Sequence, residues 1–158
     1  MISVVLLAAL CLSEPNVAWP GFRGVGDSVV PAEQLPLRWS GTENVRWSVE
    51  LTGSGQSSPV VWGDSIYVTS VDGENKEQLV VASYELATGK QRWVHTEKNS
   101  LPVKSTEYVS KAAPTPVADT EGVYAFFESG DLITLNHLGK VRWTRSLLKD
   151  YGEYQGNH

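Results

Sequence analysis

The chain has 158 residues, of which 41% are hydrophobic and 20% charged, and its formal charge is −5. These values are typical of an ordinary globular protein that can bury a sizeable core. The basic residues are scattered along the chain, which argues against a nucleic-acid-binding surface and against a polybasic contact with a membrane.

Residues 1–18 have the pattern of a secretory signal peptide. Ile2 to Leu12 is an apolar run, too short to cross a bilayer as a helix but suited to the hydrophobic core of a leader. We expect cleavage after Ala18, export to the periplasm or cell surface, and no membrane span in the mature chain. Cys11 is the only cysteine and lies in this leader, so the mature chain can form no disulfide and no thiolate metal site.

Residues 19–44 are rich in glycine, proline and isolated apolar residues, and we interpret them as an extended N-terminal segment. From Val45 to Leu51 apolar and polar residues alternate, which predicts a half-buried strand over 45–51. The paired glycines that follow, Gly53 and Gly55, predict a turn.

Residues 57–96 and 115–146 each have the pattern of four short strands, and helix signals are nearly absent. A long polar connection, 97–114, separates them. The strands predicted in the first region are Pro59–Trp62, Ile66–Thr69, Gln78–Leu86 and Arg92–His95. Those predicted in the second are Thr115–Ala118, Val123–Glu128, Leu132–Asn136 and Val141–Arg145.

These two regions are copies of one repeat. The spacing from Pro59 to Tyr67 equals that from Pro116 to Tyr124, and both copies close on Gly-Lys-x-Arg-Trp. The first copy is seven residues longer between its tyrosine and its final tryptophan, and we place the extra residues in one surface hairpin. Arg-Trp also occurs earlier, where Trp47 stands 46 residues before the first closing tryptophan.

Four strands in a period of this length predict blades of an all-β propeller. The chain would hold a partial propeller over 45–158, with blades at 57–96 and 115–146 and a closing strand at 45–51. A small β-sandwich or barrel is the alternative, but it does not explain why the Gly-Lys-x-Arg-Trp motif recurs.

The closing motif resembles the tryptophan-docking motif of pyrroloquinoline quinone (PQQ)-type propeller blades. In the second copy Leu135 and Leu138 replace the acidic residue and the threonine of that motif. The segments 19–24 and 57–64 are similar to those of exported PQQ-like repeat proteins of the outer-membrane assembly factor type. The resemblance implies about two blades of a larger ring. It also implies blade-to-blade packing by Trp47, Glu85, Thr88, Gly89, Trp93, Gly139 and Trp143.

Residues suited to catalysis or metal binding are few in the sequence. His95, His137 and His158 lie in different parts of the chain without metal-ligand spacing, and we interpret them as solvated. Carboxylates fall at predicted hairpins, where turn capping is the simpler interpretation and cation binding the alternative: Asp64, Asp119 and Glu121. Polar residues of the 97–114 connection have no identifiable base or orienting partner: Lys104, Ser105, Thr106, Ser110 and Lys111.

The sequence therefore predicts an exported, non-catalytic propeller without a cofactor that binds envelope proteins through its loops. The resemblance also allows a fragment of a quinoprotein dehydrogenase that oxidises alcohols or sugars with PQQ and calcium. The cysteine pair of many alcohol-oxidising members has no counterpart in the mature chain, although further blades could carry other site residues. A third interpretation is a sensor or structural domain of a larger envelope protein.

Overall fold

The computed structural model describes residues 18–30, 35–104 and 112–152. These residues form nine strands in two antiparallel sheets, followed by the short helix α1, Leu147–Tyr151. No helix within them has the length and apolar character needed to cross a membrane. Except for Ala18, the predicted leader lies outside the described residues, as do Ser105, Thr106, Ser110, Lys111 and His158.

The first sheet contains all four strands expected of the first repeat and one more. Its spatial order follows the chain, β1-β2-β3-β4-β5, so each strand pairs with the one before it. The strands are β1 (Ala18–Trp19), β2 (Val60–Trp62), β3 (Ser65–Asp72), β4 (Gln78–Glu85) and β5 (Gln91–Lys98).

The second sheet repeats the last four strands of the first, in the order β6-β7-β8-β9. The pairing register shifts between Ser83 and Tyr84 in the first sheet and between Thr134 and Leu135 in the second. Because this irregularity recurs at the same point, the two sheets share their backbone design as well as their sequence motif. The strands are β6 (Val117–Asp119), β7 (Gly122–Phe126), β8 (Asp131–Leu135) and β9 (Val141–Ser146).

The hydrophobic core lies where the two sheets meet. Side chains of β2, β3 and β4 and side chains of β6, β7 and β8 belong to one buried cluster. Its largest fully buried members include Tyr67, Leu79, Phe127, Ile133 and Leu135. The all-β fold of two repeated four-stranded units confirms the predicted class, a partial β-propeller, and we call these units blades.

The N-terminal segment is not simply extended. Ala18 and Trp19 pair with Trp62 and Val61, which adds β1 to the free edge of β2. The next carbonyl oxygen, that of Pro20, accepts a hydrogen bond from the backbone N–H of Ala118 in the second sheet (2.9 Å). One short segment thus contacts the edge strands of both blades.

Residues 45–51 differ from the sequence prediction, because the structure assigns no strand to them. A strand is stabilised by hydrogen bonds to a neighbour, and no described strand pairs with this segment. The first pairing after this segment is an isolated antiparallel bridge between Ser54 and Val71, and regular strand pairing resumes at Val60. The alternation does not produce a half-buried face, because Trp47 is partly buried but Val45, Val49 and Leu51 remain exposed.

Adjacent phenylalanines provide a test of the core. Phe127 is completely buried, whereas Phe126 is 38% exposed. We expect Phe127→Ala to lower the free energy of unfolding by about 3–5 kcal/mol, because it removes a large side chain and leaves a cavity. Phe126→Ala is the matched control and should cost under about 1 kcal/mol. Equal losses in urea denaturation of the two variants would contradict this assignment of the core.

Candidate functional site

The contact between the two blades centres on Trp93 of β5. Its indole Nε1–H donates to the backbone oxygen of His137, 2.9 Å away, in the turn between β8 and β9. Its ring lies directly over Gly139, where an added Cβ would come within 2.7 Å of ring atoms. Gly139 has a φ of +78°, a conformation that other residues resist, so the site needs glycine both for space and for backbone geometry.

Trp47 makes the same type of contact on the first blade. Its Nε1–H donates to the backbone oxygen of Leu86 (3.1 Å), and an added Cβ at Gly89 would lie 2.5 Å from its ring. Gly89 also has a left-handed φ, +72°. The acceptor is three residues before the glycine here and two residues before it in the second blade, so the indole positions differ slightly.

Different side chains hold the two glycine turns. In the first blade Thr88 Oγ1 donates to Glu85 Oε2 and accepts a hydrogen bond from the N–H of Lys90 (3.1 Å). In the second blade Asn136 Oδ1 accepts hydrogen bonds from the N–H groups of Leu138 and Lys140, at 3.0 and 2.9 Å. Asn136 thus supplies the turn capping that the leucines of this copy cannot provide. Asn136 is visible in the sequence, but the comparison with the docking motif concerned only the two substituted positions, Leu135 and Leu138.

Trp143 occupies the third equivalent position and behaves differently. Its side chain lies on β9 and is 44% exposed, together with Val141 at 44% and Leu138 at 77%. Of the three tryptophans singled out by the repeat, the structure brings two against a glycine turn. The third remains exposed on the second blade.

The arginine of each Gly-Lys-x-Arg-Trp motif binds a carboxylate in the hairpin turn between the first two strands of its own blade. Arg92 reaches both carboxylate oxygens of Asp64, at 2.6 and 3.0 Å, and Arg142 reaches Glu121 Oε2 at 3.1 Å. The hydrogen bond from Arg92 is the main reason why the pKa of Asp64 lies below its ordinary value. These pairs are solvent-exposed, so each contributes at most about 1 kcal/mol to stability.

The third carboxylate, Asp119, caps its own turn. Its Oδ1 accepts hydrogen bonds from the backbone N–H groups of Glu121 (2.7 Å) and Gly122 (3.1 Å). This geometry agrees with the hairpin interpretation of the acidic residues.

The interpretation of His137 as solvated is wrong, because its ring lies between the two blades. Nε2 is 2.9 Å from the backbone oxygen of Asp119, and Nδ1 is 2.7 Å from the hydroxyl of Tyr67. A carbonyl oxygen can only accept, so Nε2 carries a hydrogen; in the neutral imidazole, Nδ1 then accepts from the hydroxyl of Tyr67. The ring also stacks on Trp62 with an interplanar angle of 8°. Burial raises the pKa of the Tyr67 hydroxyl.

No periodicity or spacing in the sequence could have indicated this role, since His137 follows a strand and precedes a glycine turn like many exposed residues. The partners of its ring come from β2, β3 and the end of β6, and only the docking of two blades brings them together. His95 is also less solvated than expected, with 18% of its side chain exposed and Nε2 3.7 Å from Glu97.

The connection after β5 is attached to the second blade by Asp131. This carboxylate is 7% exposed and accepts hydrogen bonds from the Ser100 N–H (2.9 Å), the Ser100 hydroxyl (2.5 Å) and the Ser129 hydroxyl (2.8 Å). Farther along, Lys104 Nζ lies 4.0 Å from Glu74. Within the described part of the chain, no three histidine, cysteine, aspartate or glutamate residues are placed to hold a metal ion.

Comparison with known proteins defines the family. The family model described as outer membrane protein assembly factor BamB matches residues 38–156, so the chain belongs to this family of PQQ-like repeat propellers. The predicted resemblance is therefore confirmed. No curated protein matches the chain.

Among solved structures, the crystal structure of BamB from Moraxella catarrhalis is similar, at 20% sequence identity and a TM-score of 0.44. The alignment covers 63% of this chain and 26% of that one. The chain thus spans about a quarter of the length of that protein.

Trp93 and Trp143 provide a matched test of the blade contact. We expect Trp93→Ala in this chain to lower the free energy of unfolding by about 3–5 kcal/mol, because the change removes a large ring packed between the blades. Trp143→Ala should cost less than about 1 kcal/mol, since that ring is largely exposed. Denaturant unfolding followed by circular dichroism measures both changes. A loss below about 1 kcal/mol for Trp93→Ala would contradict the assigned contact.

The ion pair of the first blade predicts a change in titration. Because Arg92 lowers the pKa of Asp64, Arg92→Gln should move the Asp64 titration upward toward the ordinary aspartate value of about 4. The pair stabilises the fold above that pH, and its contribution is lost as the pH falls through the lowered value. Carboxyl NMR titration measures the shift, and Arg142→Gln is the control that should leave Asp64 unchanged. An unshifted Asp64 in Arg92→Gln would refute the pairing.

Proposed function

We propose that this protein is an exported, non-catalytic PQQ-like propeller that serves as a protein-interaction or scaffold platform in the cell envelope. The observation that carries the proposal is the set of contacts that the distinctive side chains of the repeats make. Trp47, Trp93, Arg92, Arg142 and His137 are engaged within or between the blades, and Trp143 is exposed; these side chains do not converge in a polar cleft. Such an arrangement supports a scaffold better than a reaction centre.

Membership of a family named for an outer membrane protein assembly factor supports the same proposal. In this proposal residues 1–18 are a leader, 19–44 an N-terminal segment, and 45–158 part of a propeller, with blades at 57–96 and 115–146. Trp47 and Trp93, with the glycine turns at Gly89 and Gly139, act as blade-docking residues. Trp143 is exposed in this chain and takes the same role in the proposal only against a further blade. The loops that connect the strands bind the envelope partners in this proposal.

The dehydrogenase alternative requires a site for PQQ and calcium. Calcium takes six to eight oxygen ligands, usually from several carboxylates and carbonyls. Over 18–30, 35–104 and 112–152 no group of three histidine, cysteine, aspartate or glutamate residues is placed to hold a metal ion. These residues do not fit such a site, and we derive no reaction step from them.

Site-specific photo-crosslinking in cells tests the platform. A photoreactive residue is placed at position 74, in the hairpin between β3 and β4, and another at position 90, in the turn between β4 and β5. These positions lie at opposite ends of the strands, so they sample the two loop faces of the blade. We expect discrete adducts with envelope proteins from at least one face of the full-length protein, with Trp19 as its N-terminal residue after export.

The same full-length protein, supplied with PQQ and Ca²⁺, should reduce no redox dye in the presence of primary alcohols or sugars. Dye reduction would overturn the non-catalytic proposal. An absence of adducts from both loop faces would overturn the platform, and recovery of the protein with an uncleaved leader in the cytoplasm would overturn export.

A further inference from the structure

The two blades approach each other most closely along their first strands, β2 and β6. Blades of a propeller surround a central channel and diverge away from it, so the strands that converge are those nearest the axis. The edge of β2 opposite β3 and the edge of β6 opposite β7 therefore face the channel. An unpaired strand edge presents N–H and C=O groups that can bind another chain, so proteins usually cover such edges.

The N-terminal segment crosses this side of both strands. Trp19 pairs with Val61 of β2, and one residue later the carbonyl oxygen of Pro20 accepts a hydrogen bond from the N–H of Ala118 in β6 (2.9 Å). Proline has no N–H with which to continue a ladder along β2. Pro20 is therefore suited to the point where the segment leaves one blade for the other.

The loop that follows holds Trp19 in place. The chain turns back so that the indole lies over Gly24, where an added Cβ would come within 2.7 Å of the ring. Gly24 has a φ of +61°, and its N–H donates to the backbone oxygen of Gly21 (3.0 Å), which closes the turn. A tryptophan on a left-handed glycine turn thus occurs here as it does in the blades, and it preorganises the two residues that make the crossing.

Two contacts between the blades lie beside the crossing. The ring of Trp62, the last residue of β2, stacks on His137 of the second blade with an interplanar angle of 8°. The N–H of Ser58, just before β2, donates to Thr115 Oγ1, just before β6 (3.0 Å). Both contacts require β2 and β6 to lie side by side, and both join residues outside the N-terminal segment. They therefore report on the docking of the blades independently of the segment itself.

We propose that residues 19–24 form a clasp that holds the inner strands of the two blades together at the channel. The backbone of Trp19 and Pro20 binds the strands, and the ring of Trp19 on Gly24 keeps that backbone in the conformation that reaches both. Because the clasp occupies the edge at Val61 and Ala118, an extended partner segment cannot add there without displacing it. The clasp lies entirely after Ala18, so cleavage at the predicted leader site leaves it intact.

Amide hydrogen exchange of the exported, full-length protein tests the clasp, with fragmentation in the mass spectrometer to resolve single residues. Three sites are measured: the Ala118 N–H, which the clasp binds, the Ser58 N–H, which bonds between the blades, and the N–H groups of the β3–β4 hairpin, which belong to one blade. Trp19→Ala removes the ring, and Gly24→Ala forces the ring off the turn. We expect each variant to speed exchange at Ala118 and Ser58 roughly tenfold or more, and to change the hairpin less than about twofold.

Gly26→Ala and Phe22→Ala are the matched controls. Gly26 also has a positive φ, +118°, but an added Cβ there would meet no atom within 4 Å, so this change carries the backbone cost without the collision. Phe22 is an aromatic residue of the same segment and is 70% exposed. Both controls should leave exchange at Ala118 and Ser58 within about twofold of the unsubstituted protein.

Faster exchange at Ala118 alone would show that the segment only covers the edge of β6, and would overturn its role as a clasp. Equal acceleration at all three sites would indicate general destabilisation and would also overturn it. So would unchanged exchange in Trp19→Ala and Gly24→Ala, or an effect of Gly26→Ala as large as that of Gly24→Ala. The measurement involves no envelope partner, so its outcome is independent of the proposed platform.

Discussion

The structure depends on an indole ring that lies on a glycine turn and donates its N–H to a backbone oxygen of that turn. Trp93 links the two blades in this way, and Trp47 joins the preceding segment to the first blade. The ring supplies apolar contact area, while the N–H bond fixes its orientation and satisfies the polar end of the side chain. Any side chain at Gly89 or Gly139 would enter the space of the ring, so the turn and the tryptophan constrain each other.

Around this contact the two blades reach similar geometry with different residues. Thr88 and Glu85 hold one turn, and Asn136 holds the other. The pairs Arg92–Asp64 and Arg142–Glu121 differ in the length of the acid but connect the same two places in the blade. What the repeat preserves is therefore a set of hydrogen-bonded positions, and several residue types can occupy each of them.

The strands and turns within each blade were predictable because they depend on local signals: alternation, β-branched residues and glycine-containing turns. What the sequence could not reveal depends on contacts between distant segments. β1 exists because Ala18 and Trp19 meet a strand some 40 residues away, and 45–51 lacks strand structure because no strand of the described residues pairs with it. The role of His137 as a contact between the blades likewise depends on residues that are distant from it in the sequence.

The seven additional residues of the first repeat are not a simple loop insertion. β3 and β4 have eight residues each, whereas β7 and β8 have five, so most of the additional chain lengthens both arms of the hairpin. At about 3.4 Å per residue, the first hairpin extends roughly 10 Å farther than the second. Its tip binds the connection between the blades, because Asn99 donates to the backbone oxygen of Lys76 (2.7 Å). The first hairpin thus projects beyond the second. The two blades therefore present surfaces of unequal height to a molecule that approaches the end of the strands where the hairpin tips lie.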